Sequence, residues 1–132
     1  MIINELNYVS KAEEVIKSLS YQDKLGNTYV KLTTSKIRNL LSMVSELYND
    51  AIRQRDDALS PEMQSRIQRL KVRIAYEAGR TTRDDDVKKF VENAQLFGII
   101  SEIGGSRKNL ILFCNYFEAL VAYHRYYGGK EQ

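Results

Sequence analysis

Nucleophilic and acid–base chemistry most often rests on cysteine and histidine, and this chain has one of each, Cys114 and His124. They fall ten residues apart in one helix-forming stretch, almost three turns and about 15 Å along the axis. A nucleophile and its base must approach to hydrogen-bond distance, so these two make no catalytic pair. The common zinc patterns need several such ligands at close spacing and are excluded by the count. Cys114 sits in an apolar stripe and reads as a buried structural thiol. His124 lies in the last turn of its helix, where an imidazole suits the helix dipole or a surface contact. No catalytic residue, metal or cofactor is expected, and the chain does not read as an enzyme.

Two other motifs have a chemical reading and a plainer one. IGGSRKN (residues 103–109) puts glycines before a helix start and could offer backbone N–H groups to an anion. It lacks the GK[ST] of a P-loop, so helix termination is the better account. Asp84, Asp85 and Asp86 could hold a cation, but consecutive residues point in different directions around a helix. Opposing the positive end of a helix dipole explains them better.

The spacing that carries the most information is that of the arginines. At 100° per residue, Met63, Ile67, Leu70 and Ile74 cluster in an arc of about 60°, the buried face of a helix. Arg66, Arg69, Arg73 and Arg80 fall in an adjoining arc of about 60° and span about 20 Å. The planar guanidinium fork holds phosphate oxygens bidentately, so such a stripe suits a nucleic-acid backbone. The plainer reading pairs these arginines with Glu62, Glu77 or acids of other helices such as Glu118, or lays their stems over the core. Nine tyrosines add possible stacking surfaces, most of which fill the core or its rim.

Helices must position these residues. Apolar side chains recur at three- and four-residue spacing, and one proline with seven glycines leaves little material for hairpins. Residues 1–32 read as an N-terminal arm: a short helix through Tyr8–Leu19, a turn at Gly26-Asn27, and a brief extended piece. Residues 33–132 read as a helical bundle, one domain. Its first helix opens on threonines able to cap it and keeps one face apolar through Ile37, Leu40, Leu41, Val44, Leu47, Tyr48 and Ala51. The next opens on Ser60-Pro61 and closes at Gly79, a candidate left-handed residue. A fourth helix is expected from Asp84 to Ile103 with Phe97 in its buried stripe, bent at Gly98 or closely approached there. The last starts at Ser106 and ends before Gly128-Gly129. The expected fold is all-α, a compact bundle of about five helices with a short N-terminal arm.

At 132 residues the chain can bury a real core without disulfides. A lone cysteine, no signal-peptide pattern and no long apolar run place it in the cytoplasm, away from membranes. A net charge of +3 implies no nucleic acid by itself; the basic residues crowded between Arg66 and Lys89 do more.

Three segments, LTTSKIRNLL (32–41), LKVRIAYEAGR (70–80) and YFEALVAYHRYYGGK (116–130), come in an order and spacing that resemble a known family. It is the small α-helical subunit of type III-A, Csm-type, CRISPR RNA-guided interference complexes. The resemblance implies a non-catalytic subunit of an antiviral ribonucleoprotein. Its copies stack along the filament of backbone subunits, beside guide RNA and target RNA, and help hold the target strand. Catalysis would belong to other effector subunits. A subunit that serves every guide sequence should contact phosphate and sugar, not base edges. The resemblance carries Lys36, Arg38, Arg73 and Arg80 as RNA-binding candidates. Stripe geometry adds Arg66 and Arg69. Charge alone suggests Lys108, Arg53 and Arg55, and Arg125 stays open to RNA or a neighbouring subunit. The competing expectation is a protein–protein interaction module that only bridges subunits.

Overall fold

A computed structural model of the chain describes residues 1–80 and 86–130. Six helices and three short strands follow in the order α1 (Tyr8–Ser18), β1 (Ser20–Gln22), β2 (Thr28–Thr33), α2 (Thr34–Arg53), α3 (Pro61–Gly79), α4 (Val87–Asn93), α5 (Leu96–Ile103), α6 (Arg107–Tyr126) and β3 (Gly129–Lys130). The fold is mostly α. The expectation of about five helices and no sheet needs two corrections.

The first concerns the fourth helix. Gln95 adopts a left-handed conformation (φ 55°, ψ 40°) and splits the expected helix into α4 and α5. The break turns the apolar stripe, so Leu96 is buried while Phe97 is exposed. Gly98 is not the bend; a Cβ there would lie 2.8 Å from Ile2 Cδ1, so it admits the N-terminal segment. Asp84 and Asp85 lie outside the described residues. Asp86 precedes α4 with φ 28° and makes no side-chain cap.

The second concerns residues 19–33, which form a hairpin. Asp23 Oδ1 accepts from the N–H groups of Leu25 and Asn27, both at 2.9 Å, and Gly26 supplies the positive φ. These hydrogen bonds, that from Asn27 first, hold the Asp23 carboxyl below its ordinary value. β1 pairs antiparallel with β2 in the register Ser20–Val30, Tyr21–Tyr29 and Gln22–Thr28. β3 then joins the other edge of β2 in parallel. Along β2, Val30 and Leu32 are buried, while Tyr29, Lys31 and Thr33 lie on the opposite face.

The core runs through every helix. α6 lies at its centre, packed against α1, α2 and α5. Phe113, Phe117 and Phe90 meet there, with ring centroids 6.3 Å apart in both pairs. Burying each ring contributes about 2–3 kcal/mol. Ile3, Ala12, Ile16 and Leu19 from the first residues belong to the same core.

The helix ends show what holds the layers in register. Ser60 Oγ accepts from Met63 N and Ser106 Oγ from Asn109 N, as the sequence suggests. Thr33 stands at the N-cap of α2 but makes no side-chain cap. Gly79 has no positive φ and is the last residue of α3 itself. Arg107 was not anticipated: its guanidinium donates to the Ala51 and Ile52 carbonyls (2.6 and 3.2 Å) in the last turn of α2, where carbonyls run short of helical partners. Tyr116 likewise donates to the Ala94 carbonyl at 2.9 Å, and burial pushes its phenol up to about 12.

Candidate nucleic-acid interface

α3 is the element that displays the basic stripe. Ser60 and Pro61 fix its start, and Met63, Ile67, Leu70 and Ile74 sink into the core. The arginines beside that face do not all share one environment. Arg66 donates to Asp50 Oδ2 at 2.5 Å and rests on Met63 Sδ. Arg53 meets the other oxygen of the same carboxylate. The Arg66 hydrogen bond, more than any other influence, holds Asp50 below the ordinary carboxyl value. Arg66 and Arg53 are thus tied into the α2–α3 joint.

Arg69, Arg73 and Arg80 face a different setting. Arg69 and Arg73 line an open groove of about 620 Å³ with Val72 and Tyr76 on α3, and Asn39 and Met43 on α2. Val72 is 67% exposed and Tyr76 55%. Both flanking guanidiniums lie against the Tyr76 ring, Arg73 at 5.3 Å and Arg80 at 5.6 Å from its centroid. Arg80 Nε also lies 2.8 Å from Glu77 Oε1. Glu77 has a fully buried side chain, and neither oxygen receives a hydrogen bond of good geometry among the described residues. The Arg80 contact is an ion pair of poor angle. It is the close positive charge available to a carboxylate that burial makes costly.

The groove therefore presents the Arg69 and Arg73 guanidiniums and an exposed ring, and Arg80, anchored to Glu77, lies against the same ring. Charge and a flat π-face together are what a phosphate backbone with unstacked bases requires. Lys36, half-buried, and Arg38, exposed, sit in the first two turns of α2 and do not line the groove. Lys108, 3.9 Å from Glu5, does not line it either, and Arg125 is exposed near the end of α6. Glu118 is exposed; the buried acid is Glu77.

One sequence expectation is met here, helix termination at the glycines, and another, for His124, changes. The glycine turn before α6 is covered by the chain itself. Arg107 N donates to the Asp57 carbonyl at 2.8 Å, and the Gly105 carbonyl accepts from Leu59 N at 2.9 Å. Gly104 and Gly105 take left-handed conformations and end α5. His124 is not at the surface. It is 1% exposed, hydrogen-bonds the Leu32 carbonyl through Nε2, and lies so close under Gly129 that any Cβ there would strike its ring. Cys114 is the buried thiol expected, directed at the Val44 carbonyl and pushed up to about 12 by desolvation.

A second group of aromatic and basic residues escaped the sequence reading. Tyr21 and Tyr29 face each other across β1 and β2, stacked with centroids 5.6 Å apart. Lys31 Nζ lies 4.6 Å and Lys89 Nζ 5.5 Å from the Tyr21 ring centroid. The Tyr21 hydroxyl donates to Asp86 Oδ2 at 2.9 Å. The alternation of Tyr29, Val30, Lys31, Leu32 and Thr33 was the signal that could have revealed it.

Residues 9–130 match the family described as Csm2 Type III-A. A protein of Streptococcus thermophilus named "CRISPR system Cms protein Csm2" is 43% identical over 130 residues, 98% of each chain. A protein of the same name from Mycobacterium tuberculosis is 38% identical over 132 residues, the whole of both chains. Another, from Enterococcus italicus, is 33% identical over 129 residues, 93% of this chain and 89% of that one. The three segments that resembled the Csm-type small subunit were a sound guide: the chain belongs to the Csm2 family of type III-A CRISPR systems.

Proposed function

We propose that the chain is a non-catalytic small subunit of a type III-A CRISPR effector ribonucleoprotein that grips the backbone of guide or target RNA through the α2–α3 groove. The observation that carries this reading is the bracketing of exposed Tyr76 by Arg73 and Arg80, with Arg69 in the same groove. Guanidiniums and a ring face bind phosphate and stacked base without selecting a sequence, as a subunit serving every guide must. Lys36, Arg38, Lys108 and Arg125 are candidates for further contacts outside the groove. Arg66 is a weaker one, because Asp50 already engages it. Partners in this reading are guide RNA, target RNA, other effector subunits and further copies of the chain, in the cytoplasm. No helix among the described residues is long and apolar enough to cross a membrane.

A second reading is favoured by Val72, which leaves an apolar side chain exposed in the same groove. There the groove holds a neighbouring subunit and the arginines serve that interface. A salt titration separates the two. Backbone binding gives a log affinity for single-stranded or hybrid RNA that falls linearly with log salt. Arg73→Ala should make the slope shallower by about 0.7–0.9, one phosphate's share, in a protein with unchanged circular dichroism. No RNA affinity at low salt, with assembly of the complex impaired by Val72→Glu, would instead establish the interaction module.

A further inference from the structure

From the outer face of the β1–β2 hairpin we infer a second RNA-contact surface, a stacking platform for an unpaired base built from Tyr21 and Tyr29 with Lys31 and Lys89 as phosphate contacts. It rests on the reading that the ligand is RNA but stands on different residues from the groove. Tyr21 and Tyr29 are cross-strand partners whose rings stack at 5.6 Å with an interplanar angle of 29°. They lie on the face of β2 opposite Val30 and Leu32, so the core does not require them there. Two ammonium groups from separate elements, Lys31 of β2 and Lys89 of α4, converge on the Tyr21 ring.

Tyr21 is fixed from the edge by its hydrogen bond to Asp86, which holds the stack still before any ligand arrives. With the lysines over Tyr21, a third ring extends the stack from Tyr29, and the adjoining phosphates meet the two ammoniums. The Asp86 carboxylate accepts from Tyr21 at the edge of this surface, and its charge opposes phosphate on that side alone. Single-stranded RNA fits better than a duplex, because only an unpaired base can present its π-face to a protein ring. Arg80 and Asp86 are six peptide bonds apart and hence at most about 22 Å from each other. A strand of several nucleotides is long enough to cover that distance.

The test uses the full chain and a single-stranded oligouridylate of about twelve nucleotides, carrying 5-iodouridine for photocrosslinking to stacked rings. We expect crosslinks on Tyr29 or Tyr21. Affinity should fall about tenfold on Tyr29→Val, with Tyr29→Phe close to wild type. Lys31→Gln with Lys89→Gln, which leave the strand and helix intact, should make the log–log salt slope shallower by about 1.4, two phosphate contacts on a single strand. Unchanged affinity in Tyr29→Val and in the double lysine variant, with crosslinks confined to Tyr76, would overturn the platform and leave the groove standing. Loss of affinity in those variants with none in Arg69→Ala or Arg73→Ala would remove the groove and keep the platform. A wild-type chain that neither binds nor crosslinks overturns both.

Discussion

Glu77 and Arg80 show how one residue can look like a ligand contact and be needed by the fold. Arg80 is 46% exposed and touches Tyr76, yet its Nε faces a carboxylate with no exposure at all. Removing the guanidinium leaves that charge buried alone. Arg80→Ala should therefore destabilise the fold by about 1–3 kcal/mol in denaturant titration, less than a fully buried pair because water reaches Arg80. Adding Glu77→Gln should restore much of the loss, whereas a residue serving RNA only would show no such rescue. RNA affinities of Arg80 variants are best read in that double background. Asp50 offers a residue whose effect depends on pH. Arg66 holds its carboxyl below the ordinary 3.8, so protons bind it more weakly folded than unfolded. Its contribution is complete above that value and is lost as pH falls through the lower folded one. Thermal melts should show Asp50→Asn less stable than wild type at pH 7, with the difference closing well below pH 3.8; a constant gap would refute the linkage.

At the scale of elements, the break between α4 and α5 is the place where sequence and structure part most clearly. The stripe Val87, Phe90, Val91, Ala94 runs on in helical period, so nothing local marks a stop at Gln95. The core imposes it: Phe90, Val91 and Ala94 are buried on one side of the break, Leu96, Ile99 and Ile100 on the other. A non-glycine residue held left-handed costs about 1–2 kcal/mol, of which glycine would lose part to its freer unfolded chain. Gln95→Gly should thus raise stability by about 0.5–1 kcal/mol in chemical denaturation, while Gln95→Val should lower it. The other helices were legible because their caps are local: Ser60-Pro61 and Ser106 announce α3 and α6 within a few residues. The hairpin was half legible, through Gly26-Asn27, but its pairing with β3 joins residues about a hundred positions apart. Of the interface, the arginine stripe could be read from 100° spacing. Glu77 was among the partners that reading offered, but the hold of Asp50 on Arg66 was not, since Asp50 comes from another helix. His124 misled for the same reason; its partner Leu32 belongs to β2.

Across the whole molecule, two aromatic and basic surfaces stand out among the described residues, one on the α2–α3 groove and one on the hairpin. Both are built on elements anchored in the core, through Val30 and Leu32 for the hairpin and Ile67, Leu70 and Ile74 for α3, which would limit the ordering that binding costs. The platform and the groove would act on one strand as linked sites, each raising the effective concentration at the other. The parallel strand β3 reaches past this in a different direction. Val30 N donates to the Gly128 carbonyl, and Gly129 fits over the His124 ring where no side chain could. During synthesis, about a hundred residues separate β2 from residues 128–130, which supply the mate for one of its edges. Over that interval β2, once formed, has one open strand edge, the kind that neighbouring chains on a polysome can capture. The glycine pair that ends α6 is then also the clasp that retires that hazard.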